Sequence, residues 1–92
     1  MQITLEYVAQ IKMAAGKASE TLTVEKEALL GSVLKDAAPR LGAEFSALLF
    51  DDAGTFRPSL LIMVNDEQVD PNPAFPLNDR DRITLLSPMS GG

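Results

Sequence analysis

Cysteine and histidine are both absent from this chain of 92 residues. Without cysteine there is no disulfide framework, no thiolate-bound zinc and no iron–sulfur cluster. Without histidine there is no serine triad and no imidazole acid–base pair within the chain. Metal ligands reduce to carboxylates. Aromatic residues are scarce, one Tyr and four Phe, so any core must be built mainly from aliphatic side chains. Positive charge is in the minority: eight Lys and Arg stand against thirteen Asp and Glu, a formal net charge of −5. An acidic surface repels a phosphate backbone and argues against nucleic-acid binding, while it attracts a partner with a basic groove. The opening Met1-Gln2-Ile3-Thr4-Leu5-Glu6 has neither a basic region nor a long apolar run, so neither a signal peptide nor a membrane span is expected, and the cytoplasm is the expected location. The length fits one domain, of a size that buries only about 60–65% of its unfolded surface. That leaves little room for a deep catalytic cavity. If the chain takes part in chemistry, a partner supplies the catalytic groups or the main chain itself is the reactant.

What is present is strongly patterned. Ile3, Leu5 and Tyr7 alternate with Gln2, Thr4 and Glu6, the period of a half-buried strand. The stretch continues less regularly through Val8 and Ile11 to a break at Gly16, and Thr21 to Val24 form a second strand, so an N-terminal hairpin with a long loop is expected. Leu29, Leu30, Val33, Leu34, Ala37, Ala38 and Leu41 follow helical spacing, with Lys35, Asp36 and Arg40 on the other face. Pro39 predicts a break near Ala38. Leu41, Phe45, Leu48 and Leu49 predict a second short helix, Gly42 is placed to end the first, and Gly31 simply lowers helix propensity. Asp51-Asp52-Ala53-Gly54 reads as a turn. Leu60 to Val64 is a continuous apolar run and reads as a buried central strand. Asn65-Asp66 turns the chain into a short return strand at Gln68-Val69. Pro71, Pro73 and Pro76 mark an irregular connection, Asn78-Asp79 another turn, and Arg82 to Leu86 the last strand. This order suits an α+β domain: a mixed sheet with one main helix across it, and a crossover bringing the third strand beside the first in parallel.

From Leu48 to Gly92 the chain resembles the small sulfur-carrier and ubiquitin-like proteins of the molybdopterin-synthase small-subunit and thiamine sulfur-carrier type. The residues that carry the resemblance are Asp51-Asp52-Ala53-Gly54 with Arg57-Pro58, then Ile62-Met63-Val64-Asn65-Asp66-Glu67-Gln68-Val69. Leu77-Asn78-Asp79-Arg80-Asp81-Arg82-Ile83-Thr84-Leu85 and the ending Pro88-Met89-Ser90-Gly91-Gly92 follow. The family often has Gly where this chain has Asp66 and Arg80, and Leu86 and Ser87 replace parts of its pattern before the final pair. The resemblance implies a ubiquitin-like β-grasp fold of about five strands, with residues 1–87 as the domain and 88–92 as a flexible tail. It also implies that an activating, E1-like adenylyltransferase uses ATP to adenylate the Gly92 carboxylate, after which sulfur or a thiol displaces AMP. No cofactor is then bound by the chain itself.

The residue types fit that chemistry. Gly has no Cβ, so Gly91 and Gly92 make a thin tail that can thread a narrow channel. From Pro88 to Gly92 an extended chain reaches roughly 16 Å at about 3.3 Å per residue. Pro88 removes a donor and helps stop the last strand from pairing onward. At about 7% Gly usage a chance Gly-Gly ending occurs in roughly 0.5% of chains, so the ending counts chiefly in company with the upstream motifs. Tyr7, Leu86, Pro88 and Met89 flank the expected tail exit and are candidates for partner docking, although Tyr7 and Leu86 suit the core equally well. The carboxylate pairs Asp51-Asp52, Asp66-Glu67 and Asp79/Asp81 fall in turns, where Asp bonds to its own backbone, and no metal site is assigned to them. Lys12, Lys17, Lys26 and Lys35 read as solvated charges, or as acceptors of an isopeptide bond. Arg57, Arg80 and Arg82 read as edge and turn positions, or as partners for carboxylates.

Three functions remain open. The first is a sulfur carrier, loaded as a Gly92 thiocarboxylate and serving a large sulfurtransferase subunit in molybdopterin or related biosynthesis, a co-substrate rather than an enzyme. The second is a modifier joined through Gly92 to lysines of target proteins. The third is a non-reactive interaction module.

Overall fold

The computed structural model describes residues 1–87, so the expectations for Pro88, Met89, Gly91 and Gly92 lie outside the described residues. Eight elements follow one another: β1 (Gln2–Val8), α1 (Gln10–Ala15), β2 (Ser19–Thr23), α2 (Leu30–Leu41), α3 (Ala43–Leu49), β3 (Leu61–Val64), β4 (Glu67–Val69) and β5 (Arg82–Leu86). The strands form one mixed sheet in the order β2-β1-β5-β3-β4. β1 pairs parallel with β5, and the other neighbours are antiparallel. The strand beside β1 in parallel is thus the last one, not the third as the element order suggested. The third is antiparallel to β5.

Alternation sets the two faces. Ile3, Leu5 and Tyr7 on β1, Ile62 and Val64 on β3, and Ile83 and Leu85 on β5 point to the core side. There they meet Ile11 of α1, Leu30, Val33, Leu34, Ala37 and Ala38 of α2, and Phe45 and Leu49 of α3. Each fully buried aliphatic side chain contributes about 1.5–3 kcal/mol by leaving water. The single Tyr is part of this packing: Tyr7 stands edge-on to Phe45, ring centroids 5.4 Å apart.

Three local expectations change. The segment after β1 is not a hairpin loop but the short helix α1. Ile11, Ala14 and Ala15 share its inner face, and Gly16 ends it in the left-handed conformation at φ 75°. Pro39 does not break α2, because it lies exposed in the last turn, with the helix closing past it through the Gly42 N–H to the Ala38 carbonyl. β3 is not covered on both faces. Leu61 and Met63 are only half-buried, and β5 rather than β3 is the middle of the sheet. The short helix at Ala43–Leu49, the Asn65-Asp66 turn and the last strand lie where expected.

The proline-bearing connection has a defined task. The first N–H groups of α2 have no partners within the helix. The Leu30 N–H donates to the Phe75 carbonyl and the Gly31 N–H to the Pro73 carbonyl, each at 2.9 Å. Main-chain carbonyls therefore cap this helix, in the absence of any side-chain cap. Gly31 permits the approach, since a Cβ there would stand 2.6 Å from Pro73 Cβ and 2.9 Å from the Pro73 carbonyl oxygen. Its role is steric, not the mere loss of propensity expected from the sequence. Asp66 and Arg80 adopt positive φ, 72° and 70°, at the two positions where the resembling family often has Gly. Arg80 is held there by donation of its N–H to the Gln2 carbonyl.

One polar network sits at the edge of the core. The buried Tyr7 hydroxyl donates to Glu20 of β2, and the same carboxylate accepts from Arg40 of α2 at 3.0 Å, with Lys17 at 3.8 Å. Burial raises the Tyr7 pKa well above its ordinary value, and the Glu20 hydrogen bond adds to that. Burial also pushes the Glu20 carboxyl up, but the hydrogen bonds from Tyr7 and Arg40 outweigh it and hold Glu20 below its usual value.

Two predictions follow from these contacts. Gly31→Ala should lower stability by about 1–3 kcal/mol, the usual effect of overpacking, read as a lower urea midpoint. Ala is the better helix former, so a raised midpoint would show that Pro73 yields freely. A group whose folded pKa is lowered contributes stability above its unfolded value, about 4.3 for Glu, and loses it as pH falls through the folded value. Glu20→Gln should therefore cost stability at pH 7 and progressively less as the pH falls below about 4.3, with a flatter urea midpoint across the acid range.

Candidate functional site

The outward side chains of the sheet make a second surface, opposite the helices. Register places Val8 beside Leu86 and Leu86 beside Leu61, an apolar row across β1, β5 and β3. Val8 is 40% exposed, and Leu86 and Leu61 are half-buried. The next row, two residues back, is Glu6, Thr84, Met63 and Gln68. Behind it lies Arg82, whose guanidinium binds Glu6 at 2.9 Å and also pairs with Asp66. The Asp66 hydrogen bond is the main reason that the Arg82 pKa is raised. The surface is an apolar strip with a charged, net acidic margin, the pattern of an interaction patch with a polar rim.

The strip lies where the chain leaves the sheet. β5 ends at Leu86, so whatever follows Ser87 starts from the end of the apolar row. The residues expected to dock a partner are divided by this arrangement. Leu86 is on the open face. Tyr7 is not, because its position on β1 turns it into the core, where it is 2% exposed and bonded to Glu20. Val8, Leu61 and Met63 take its place, and the sequence reading missed them. The signal was present in the unbroken apolar run from Leu60 to Val64. Such runs belong to strands apolar on both faces, and among the described residues only one face of β3 is covered.

Several of the other singled-out residues have structural partners. Asp51 Oδ1 accepts from the Ala53 and Thr55 N–H groups, closing its own turn. Asp79 accepts from the Gln2 N–H, and the buried Asp81 accepts from Asn65 and from the Asn78 N–H. Arg57 donates to the Ala47 carbonyl, not to a carboxylate. Among the described residues no group of three or more carboxylates is placed to hold a metal ion, and no helix is long and apolar enough to cross a membrane. All four lysines are exposed.

The family model that matches this sequence is that of the ThiS family, and it matches residues 5–92. The chain belongs to the ThiS family. That match takes in nearly the whole domain described above as well as the terminal Gly91 and Gly92. Solved structures share the fold of this ThiS-family chain. SAMP1 from Haloferax volcanii matches with a TM-score of 0.85 at 22% identity, covering 100% of both chains. Urm1 from Trypanosoma brucei matches with a TM-score of 0.78 at 24% identity, covering 99% of this chain and 95% of its own. The complex of subunits 1 and 2 of molybdopterin-converting factor from Helicobacter pylori contains a chain that matches with a TM-score of 0.58 at 23% identity, with 100% of both chains covered. No curated protein matches the sequence. The fold is accordingly a ubiquitin-like β-grasp, as the sequence resemblance implied.

The assignment of faces can be tested on two neighbours in β5. Leu85→Ala should cost about 2–5 kcal/mol, as buried Leu truncations do. Leu86→Ala should cost less than half as much, because its side chain is already partly in water. Equal losses in urea denaturation would mean that the outward face is covered.

Proposed function

We propose that this ThiS-family chain is a sulfur carrier whose reactive group is the terminal carboxylate of Gly92. The observation that carries the reading is the family match reaching Gly92, on a domain that ends β5 beside an apolar strip. A partner docks on Val8, Leu86, Leu61 and Met63, and the residues after Ser87 enter its active site. That partner, an E1-like adenylyltransferase, joins the carboxylate to the AMP part of ATP with release of pyrophosphate. Hydrosulfide supplied by the partner then attacks the Gly92 carbonyl carbon, AMP leaves as the C–O bond it held breaks, a proton is lost, and a thiocarboxylate remains. The chain needs no Cys or His for these steps, since its main chain is the reactant and the partner supplies the catalytic groups. Docking on an acidic-margined strip favours a partner with basic residues around an apolar ridge. Similarity to one chain of a two-subunit molybdopterin-converting factor supports a large subunit as recipient of the sulfur, in molybdopterin or related biosynthesis.

A second reading is favoured by a specific finding: a small archaeal modifier protein from Haloferax volcanii shares the fold at a TM-score of 0.81 and 19% identity. In that reading the same activated Gly92 is joined to lysines of target proteins. The four exposed lysines of this chain then also serve as acceptors for its own kind.

Intact mass of the protein from its own host, taken without reducing agent, separates the two. A shift equal to one oxygen replaced by sulfur, abolished by deletion of Gly92, is the expected result for the carrier. An unshifted free pool, together with larger species joined through Gly92 to lysine, establishes the modifier instead. If neither product forms with the activating enzyme and ATP supplied, both readings fall and a non-reactive interaction module stands.

A further inference from the structure

The sheet has two outer edges, and they are guarded differently. β4 is three residues long, carries Glu67 and Gln68, and runs into Asp70-Pro71. Short, charged edges stopped by proline resist pairing with another strand. β2 has five residues, no proline and a single charge, Glu20, which is turned to the core side and held by Tyr7 and Arg40.

The direction of the β2 backbone groups follows from its ladder with β1. The Tyr7 N–H donates to the Ala18 carbonyl, and the Val24 N–H donates to the Met1 carbonyl. In an antiparallel pair such bonded positions recur at every second residue. Ala18, Glu20, Leu22 and Val24 therefore turn their N–H and C=O groups toward β1. Ser19, Thr21 and Thr23 turn theirs outward, where no other segment of the described chain pairs with them.

Beside this edge lies a cleft. Between β2 and α2 an opening of about 170 Å³ is lined by Leu22, Val24, Val33, Asp36, Ala37 and Arg40. Its floor is apolar, with Val33 and Ala37 buried. Its rim is charged. Asp36 stands toward the Thr23 end, since it also faces the segment from Thr23 to Leu29. Arg40 stands toward the Glu20 end, and Lys17 joins it there; both cations reach the one carboxylate of Glu20.

We propose that this edge and cleft bind an extended peptide segment of a partner protein, which adds as a strand against β2. The segment sets a branched aliphatic side chain into the cleft opposite Leu22 and carries a carboxylate two residues away, opposite Glu20. The spacing is dictated by the pleat, in which alternate side chains share a face. The outward N–H and C=O groups of Thr21 and Thr23 bond the added strand, as in other cases of strand addition, while the pocket selects the side chain. The carboxylate meets Arg40 and Lys17, two cations that share one internal counter-ion. The cleft lies on the helix side of the sheet, whereas the Val8–Leu86–Leu61 strip begins on the neighbouring strand β1 and occupies the opposite face, so the site does not depend on the chemistry at Gly92.

The test uses isotope-labelled full-length protein and a synthetic seven-residue peptide, acetylated and amidated. Threonine and valine alternate in it, with an aspartate two positions from the central valine. The expected result is a saturable shift of the amide signals of Ser19, Thr21, Thr23, Ala37 and Arg40, with slowed hydrogen exchange at Thr21 and Thr23. N-methylation of the peptide on its β2-facing positions, or lysine in place of the aspartate, should weaken binding by about tenfold or more. Thr21→Pro removes one outward donor without touching the β1 ladder and should weaken binding similarly. Should that variant not fold, the N-methylated peptide gives the same discrimination on the unaltered protein. No shift at millimolar peptide overturns the proposal, as does a shift confined to Val8, Leu61 and Leu86, or indifference to N-methylation. If these amides respond to protein concentration alone and not to the peptide, β2 pairs with a second copy and the proposal falls.

Discussion

β1 and β5 lie side by side in parallel, in register from Thr4 with Arg82 to Val8 with Leu86. They are the first and last strands of the domain, and they occupy the middle of its sheet. Their inward residues, Leu5, Tyr7, Ile83 and Leu85, are all buried and form the floor on which α2 and α3 pack. Their outward residues supply two of the three members of the apolar strip. The same pairing fixes where the chain leaves the sheet, beside Val8, and thereby unites core, outward apolar strip and exit in one geometric arrangement. A parallel neighbour requires a long crossover. Here that crossover contains every other element of the fold.

The segment between β4 and β5 shows how such a crossover is secured. Its prolines cannot donate hydrogen bonds, but their carbonyls can accept them. The Pro73 carbonyl accepts from Gly31, whose lack of a Cβ permits the close approach, and the Phe75 carbonyl accepts from Leu30, so the two cap α2. A stretch with the composition of a loose linker is thus fastened to the helix that covers the sheet. At the opposite corner, the network of Tyr7, Glu20 and Arg40 ties β1, β2 and α2 together through one carboxylate. Helix and sheet are joined at both ends by polar contacts and between them by aliphatic packing.

Much of this was legible in the sequence, and the failures have physical causes. The alternation in Gln2 to Tyr7 and the helical spacing from Leu29 to Leu41 stated the elements and their buried faces directly. The resembling family often has glycine where this chain has Asp66 and Arg80, which hinted at unusual turns, but that both residues adopt positive φ came only from the structure. α1 was hidden because six residues carry too little periodicity to distinguish a helical turn from a continuing strand. Pro39 misled because proline's usual cost falls on helix interiors, and an exposed last turn avoids most of it. Strand order was beyond reach: a list of elements says that a crossover exists, not which strand it ends beside. Tyr7 was ambiguous for another reason, since an amphipathic ring suits a docking face and a core with a polar edge equally well. Only the register, with Glu20 within reach of its hydroxyl, decides between them.

The central pairing also has a consequence in time. Glu6 and Thr84, bonded through their side chains, are 78 positions apart in the chain, and contacts of such separation form late and slowly. Until β5 is in place, β1 and β3 have no common neighbour, and the row Val8–Leu86–Leu61 does not exist as a surface. A nascent, truncated or misfolded chain cannot offer it. The strip is therefore a property of the finished domain, present only once the first and last described strands have paired.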